Sequence, residues 1–403
     1  MTCGTSTIGA CGWTLELSSE PPPHNFYILL RTSIAMSVQI DPKLVSASNA
    51  NSTSSKKAEV VGIQYLRGIA AIAVVFDHSA GMGAFDKYFG VTIFNNFLMY
   101  GAHGVDIFFV VSGFIIAYVA LRPKAFVPEL TLLDFLKKRA IRILPLMWLA
   151  ISSYAILRML GGVSANWADY LRAAFLFPVG QVAPLNIWTL RHEMLFYFLF
   201  GLTWLGYPLI RYGIFLWFAG PVLSALLGGT GRNDLWDFLV SPVNLEFGVG
   251  FCLGLLYLRV GCAKAVISYQ FGLLVSATVI MITLAFFYGR TLGSLESVVF
   301  TSLCSAPIVA FAAFTSPAKR NRLGILLGEA SYSIYLFHPH IISAVLRLLK
   351  SAVPNLPPHG AILLAACTGI AGGMIIHRFI ERPLLTRFKS NFSNRRAPNL
   401  AAT

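Results

Sequence analysis

Charge is what this chain is short of. Only 12% of its 403 residues are charged while 56% are hydrophobic, against about 25% charged in a soluble domain. A soluble fold cannot hide that much apolar surface, which excludes an ordinary water-soluble enzyme and implies a polytopic membrane protein. Acidic residues are scarcest, 17 against 31 Lys plus Arg, for a net charge of +14. The basic excess does not gather into one face, as nucleic-acid binding would need. It falls in short clusters between apolar runs, the pattern of topogenic loops, so no nucleic-acid partner is expected. The six cysteines (Cys3, Cys11, Cys252, Cys262, Cys304 and Cys367) show neither CxxC nor zinc-type spacing and are expected to be reduced, buried small hydrophobes. No convincing signal peptide is present, because the apolar part of the first 36 residues is short and carries Arg31.

What is there divides into three parts. Residues 1–60 include the polar, low-complexity stretch "SASNANSTSSKKAEV" and are expected to form a disordered tail. Met36 is a candidate initiator, which would make 1–35 an over-extended gene start. Residues 61–385 are expected to form the membrane domain and 386–403 a basic cytoplasmic tail. The fold class is an all-α polytopic membrane protein of about ten transmembrane helices. Apolar segments approach or exceed the length that crosses the roughly 30 Å hydrocarbon core at about 61–80, 97–121, 140–160, 187–205, 211–228, 238–258, 268–288, 296–315, 326–349 and 360–380. A further piece at 168–178 is short enough to be interfacial or re-entrant. With the N-terminus in the cytoplasm, eighteen loop and tail Lys or Arg fall on the cytoplasmic side and five on the other. The positive-inside rule therefore places both termini in the cytoplasm.

The informative residues are the ionisable ones inside apolar runs, where a charge costs on the order of 3 kcal/mol on insertion scales and needs a partner or a wet cavity. In "LRGIAAIAVVFDHS", Arg67 and His78 are eleven positions apart. At about 100° per residue they lie roughly 20° from a whole number of turns, about 16 Å along one helix face. Two readings fit: stations along one groove with Asp77 beside the second, or an arginine snorkelling to one interface and a histidine near the other. In "YGAHGVDIFFVVSGF", His103 and Asp106 sit at i, i+3. Asp106 is either the group that orients an imidazole such as His78 or an acid favoured by a helix start. Ser112-Gly113 permits close helix packing. Arg139 and Arg142 in "KKRAIRILPLMW" present two guanidinium forks on one face, suited to phosphate oxygens; topogenic charge alone also accounts for Lys137, Lys138 and Arg139. Arg191, His192 and Glu193 lie within one span, with Glu193 a partner for a groove arginine or one half of a structural ion pair. The His338-Pro-His340 triplet lacks companion ligands, and no metal site is expected. Glu381, in "HRFIERPLL", is expected to pair with a basic residue at the cytoplasmic surface.

Taken in order, these motifs resemble the acyltransferase-3 family of integral-membrane O-acyltransferases that modify bacterial surface glycans. The resemblance covers about residues 60–385: the Arg–ten residues–His motif at Arg67 and His78, "GVDIFFVVSGFII", Arg-x-x-Arg at Arg139 and Arg142, "IWTLRHEMLFY", "SYSIYLFHPHI" and "FIERPLL". Where many members read Trp-Ser-Leu-Ser-Val-Glu-Glu, this chain has Arg191-His192 in place of Ser-Val, keeps Glu193 and has Met194 for the second Glu. That version is similar to the exopolysaccharide-production branch. The sequence shows no large hydrolase-like extension after the membrane core, so the resemblance puts transfer on that core. It implies a bacterial inner-membrane enzyme that moves an acyl group, acetyl first, from cytoplasmic acetyl-CoA to a polysaccharide or lipid-linked glycan. Acetyl-CoA is a co-substrate, with no bound cofactor. His78 would be the catalytic base with Arg67 its partner and Asp106 in support. Arg139 and Arg142 would bind acyl-CoA, and Asp77, His192 and Glu193 would be supporting polar groups. The rival reading is a transporter or flippase of a glycan or lipid-linked sugar, which intramembrane charges suit equally; against it, no half-to-half repeat is visible.

Overall fold

A backbone surrounded by hydrocarbon must satisfy its own hydrogen bonds, and the apolar runs of this chain do so as helices. The computed structural model describes residues 57–123, 126–162, 164, 166–229, 231, 233–260, 268–287, 295–315, 320–353 and 355–394. The chain divides into Met1–Ala58 and Glu59–Thr403. The expected tail lies outside the described residues up to position 56, as do the last nine residues of the basic C-terminal segment. Within the second unit the helices are α1 (Val61–Gly83), α2 (Gly104–Ala120), α3 (Leu132–Leu160), α4 (Trp167–Ala174), α5 (Trp188–Leu202), α6 (Pro208–Leu226) and α7 (Asp234–Leu239). They continue as α8 (Val243–Val260), α9 (Tyr269–Phe287), α10 (Leu295–Phe314), α11 (Arg322–Ala352), α12 (Pro358–Ile376) and α13 (Arg382–Asn394). A 3₁₀ segment, Phe94–His103, leads into α2, and a π turn, His377–Glu381, joins α12 to α13.

Each of the ten apolar segments has become a helix. Among the described residues, six stretches are long and apolar enough to cross a membrane: Phe94–Ala120, Leu132–Leu160, Leu209–Leu226, Asp234–Val260, Leu295–Phe314 and Pro358–Phe388. The other four fall short for identifiable reasons. α1 and α11 have the length, but Gln64, Arg67, Asp77 and His78 dilute one, and Glu329, Tyr332, His338 and His340 the other. α5 is 15 residues long and carries Arg191, His192 and Glu193. The apolar part of α9 is Gln270–Thr283. The piece expected at 168–178 is the eight-residue α4. Polar caps mark several starts: Thr131 accepts from the Asp134 amide at 3.2 Å, and Asn321 from the Leu323 and Gly324 amides at 2.9 and 3.1 Å. Cys252, Cys304 and Cys367 are free thiols, as expected, but Cys252 and Cys367 are exposed rather than buried; an apolar thiol suits a helix face turned to lipid as well as a core.

Close approach of helices sets the frame. A Cβ at Gly113 would lie 2.1 Å from the Phe247 carbonyl oxygen, and one at Gly250 only 1.8 Å from that of Val110. α2 and α8 thus touch backbone to backbone, as the Ser-Gly pair suggested. On α1 and α11, Gly328 meets the Gln64 carbonyl in the same way, at 2.1 Å. These two helices run parallel and are pinned at both ends. Arg320 pairs with Glu59 at 2.8 Å and Tyr65 Oη accepts from the Asn321 amide at 2.6 Å at one end; Lys350 Nζ donates to the Asp86 carbonyl at 3.0 Å at the other. An aromatic core of Phe109, Phe196, Phe200, Phe218, Phe247 and Phe251 fills the space between α2, α5, α6 and α8.

Candidate active site

The N-terminal part of α1 delivers Arg67 into a cluster of charges drawn from five elements. Its guanidinium donates to Gln64 Oε1 at 3.1 Å and interacts electrostatically with Arg142 of α3, Glu193 and Tyr197 of α5, and Glu381 of the π turn. Tyr332 of α11 interacts with Arg142 and both carboxylates and donates to the Ile143 carbonyl at 2.9 Å. Glu193 accepts hydrogen bonds from Tyr197 and, at 3.4 Å, from Ser112. Glu381, 2% exposed, accepts from Ser333 Oγ at 2.7 Å and His377 Nδ1 at 2.8 Å. Two guanidinium groups are thus balanced by two carboxylates in a low-dielectric setting. Among the described residues neither Arg67 nor Arg142 sits within 4.0 Å of a carboxylate oxygen. The carboxylates balance charge at a distance and leave guanidinium donors uncommitted. Arg139 lies 5.6 Å over both the Phe135 and Tyr197 rings, and its Nε is buried without a hydrogen-bond partner. Cation–π contact holds the group in place while sparing its fork.

Glu381 is a correction in position. A surface partner was expected for it, yet the π turn buries it. One residue more per turn rotates the following side chains, and π turns are frequent at functional sites. Here the rotation turns His377 and Glu381 inward together.

Farther along the same face of α1 stands His78, its side chain 39% exposed and that of Asp77 15%. His78 Nδ1 lies 3.0 Å from the Val74 carbonyl oxygen and 3.2 Å from Asp77 Oδ2. Both neighbours are acceptors, so the Nδ1 site carries the proton and Nε2 keeps a lone pair in the neutral ring. The ring of His338 from α11 stands edge-on to it, centroids 4.9 Å apart at 76°. α1 therefore contributes Arg67 to the charge cluster and, about three turns on, an imidazole with a basic nitrogen.

Asp106 does not serve His78. It bonds His103 Nδ1 at 2.7 Å, its own neighbour three positions back, and it faces Glu246. The carboxylate at His78 is Asp77, adjacent in sequence. The i, i+3 spacing at the helix start brings His103 and Asp106 together before any distant imidazole competes. His192 packs flat on Phe238 at 4.6 Å with Trp188 edge-on at 5.8 Å, so it is held as an aromatic ring. Arg191 donates to the Gly180 carbonyl at 2.8 Å and pins the loop before α5. The two rings of the His-Pro-His triplet turn to different neighbours, His338 to α1 and His340 to Ala150 and Tyr154 of α3, as positions two apart on a helix must. Sequence reasoning passed over Tyr197 and Glu246 and gave no role to Tyr332 or His338. Glu246, wholly buried and accepting from Thr301 Oγ1 at 3.4 Å, carried the same signal as Glu193, an acid inside an apolar run. Tyr197 is legible as the i, i+4 neighbour of Glu193.

A family model described as an acyltransferase domain, of acyltransferase family 3, matches residues 60–378. The exopolysaccharide production protein ExoZ of Rhizobium meliloti (strain 1021) is 30% identical over 318 residues, which cover 71% of this chain and 90% of that relative. No solved structure matches the chain. The matched residues run from the start of α1 into the π turn, and with several helices long and apolar enough to cross a membrane, the chain belongs to the acyltransferase-3 family and is a multi-pass membrane acyltransferase.

Proposed function

We propose that this acyltransferase moves an acetyl group from cytoplasmic acetyl-CoA to a hydroxyl of exopolysaccharide, or of its lipid-linked precursor, within a bacterial inner membrane. The domain that does so is residues 61–385, with ten crossings and both termini in the cytoplasm. The observation that carries the reading is the pairing, on one helix, of Arg67 within its arginine cluster and His78 with a free Nε2. The acceptor class is suggested by what the name of the Rhizobium meliloti relative says of that protein.

CoA carries a pyrophosphate and a 3′-phosphate, and bidentate guanidinium groups are the side chains best shaped for them. Arg139 and Arg142 sit where a ligand arriving at the charged end of the bundle would meet them. The flexible thioester arm then extends along α1 towards His78. There the acceptor hydroxyl attacks the thioester carbonyl. The new C–O bond forms as the C–S bond breaks, and the hydroxyl proton passes to His78 Nε2 and from there to the departing thiolate. This is general-base catalysis, worth typically 10²–10⁴-fold. Asp77 and the Val74 carbonyl fix the tautomer and steady the charge that the ring acquires.

Membranes containing the protein, supplied with radiolabelled acetyl-CoA and the host exopolysaccharide, should transfer label to the glycan. His78→Ala should lose that transfer by at least about a hundredfold, with the amount of protein in the membrane unchanged. Normal acetylation by His78→Ala would refute the base assignment, and movement of unlabelled glycan without any acetyl transfer would favour a transporter.

A further inference from the structure

The acyl-transfer reading leaves one side chain at the transfer end without a task. His338 is 0% exposed. Its Nδ1 lies 3.1 Å from the Ile334 carbonyl oxygen, an acceptor, so the proton sits on Nδ1 and Nε2 keeps its lone pair. That Nε2 is buried and has no hydrogen-bond partner. Most buried polar atoms in folded proteins are satisfied, and an exception calls for an explanation. The surroundings hold the ring firmly. Tyr335 packs against it at 6.0 Å, itself fixed through Thr189 at 2.9 Å, and α12 closes over its Cβ at Gly369.

What His338 faces is His78, edge-on and in electrostatic contact. While both rings are neutral, each Nε2 is an acceptor and no hydrogen bond is possible between the two. A proton on either ring changes that. The acyl-transfer chemistry supplies one: transfer to a hydroxyl releases the hydroxyl proton, and His78, its side chain 39% exposed, is the ring of the two open to take it, whereas His338 is buried.

We propose that His338 is the positioning partner of His78, its unpartnered Nε2 accepting the hydrogen bond of the proton that His78 takes from the acceptor hydroxyl. The bond exists only in the charged state. It therefore favours the step in which His78 becomes an imidazolium and contributes nothing to substrate binding, the signature of an interaction spent on the transition state. The proton moves from the hydroxyl oxygen to His78 Nε2, is held there against His338, and leaves to the CoA thiolate. His338 gains and loses no atom.

The inference rests on the acyl-transfer reading, and three substitutions separate the two. His338→Gln places an amide oxygen near the Nε2 position and keeps an acceptor there. His338→Asn places its polar atoms near the Nδ1 position only, and His338→Phe keeps a ring without an acceptor. Acetyl transfer by membrane-embedded protein is expected to fall about tenfold or more in kcat for Asn and Phe, with KM for acetyl-CoA unchanged, and to stay within about threefold of wild type for Gln. Wild-type kcat in His338→Phe would overturn the proposal. So would equal losses in all three variants, or losses that appear in KM, since either marks His338 as a packing residue. If the unaltered protein transferred no acetyl group from acetyl-CoA, the functional reading itself would fall, and this inference with it.

Discussion

Arg142 is the residue whose chemistry separates a structural arginine from a ligand-binding one. It interacts with Arg67, Glu381, Tyr197 and Tyr332, with no carboxylate oxygen within 4.0 Å among the described residues. An arginine kept for stability alone would close that distance, because an uncompensated charge in a low-dielectric setting is costly. On the proposed reading, a phosphate of CoA would close it instead. A charge-assisted hydrogen bond is worth about 1.5–3 kcal/mol, so Arg142→Ala should weaken acetyl-CoA binding roughly 10- to 100-fold. Arg142→Lys, which keeps the charge but loses the fork, should recover only part of it. Titration of acetyl-CoA into the detergent-solubilised protein measures this directly, and unchanged affinity in Arg142→Ala would remove the phosphate role. Glu193 and Glu381 explain why the membrane tolerates the cluster before any ligand arrives: each guanidinium has an opposite charge in reach, though none in contact.

Helix pairs, not single helices, decide where these side chains stand. α2 and α8 meet at Gly113 and Gly250, and the 1.8 Å separation between a Cβ at Gly250 and the Val110 oxygen admits no rotamer solution, because both partners are backbone. Gly250→Ala should cost at least about 1–3 kcal/mol and lower the melting temperature of the solubilised protein. Gly213→Ala on α6 meets nothing within 4 Å and should leave it level or slightly higher, since alanine favours helix. A melting curve for each settles it; equal behaviour would mean that α2 and α8 do not touch. These contacts also mark what the sequence can tell. Hydrocarbon demands long apolar runs, so the ten helices were legible, and so were Arg67, His78 and Glu193, because a charge inside such a run is conspicuous. Register across helices was not. Asp106 was the expected carboxylate for His78, with Asp77 only in support, whereas the start of α2 pairs Asp106 with His103 and leaves Asp77 beside His78. Glu381 read as a surface acid because a π turn leaves no mark in the residue pattern. His338 read as half of an unexplained triplet because its partner lies 260 positions away on α1.

At the scale of the whole molecule, α1 and α11 constrain the number of crossings. Pinned to each other at both ends, they run in the same direction, so the chain crosses an even number of times from the start of one to the start of the other. Among the described residues six stretches have spanning length and apolarity; α1 and α11 are long enough to join them. The remaining pair is α5 and α9, and the parallel alignment requires that both cross or neither does. The proposed topology takes the first, on the distribution of charge. With ten crossings Arg211 and Arg259 lie in the cytoplasm with most of the other loop cations. With eight, both move to the opposite face, against the positive-inside rule. Tyr207, 66% exposed between α5 and α6, and Leu227, 78% exposed just after α6, report the difference. In a background with the six native cysteines replaced by serine, Tyr207→Cys should resist a membrane-impermeant maleimide added outside intact cells, and Leu227→Cys should react. The opposite pattern would mean eight crossings, with Arg191, His192 and Glu193 carried on a helix that enters the bundle without traversing it. Glu193 would still reach Arg67, but the cytoplasmic approach to the arginine cluster would need a different route.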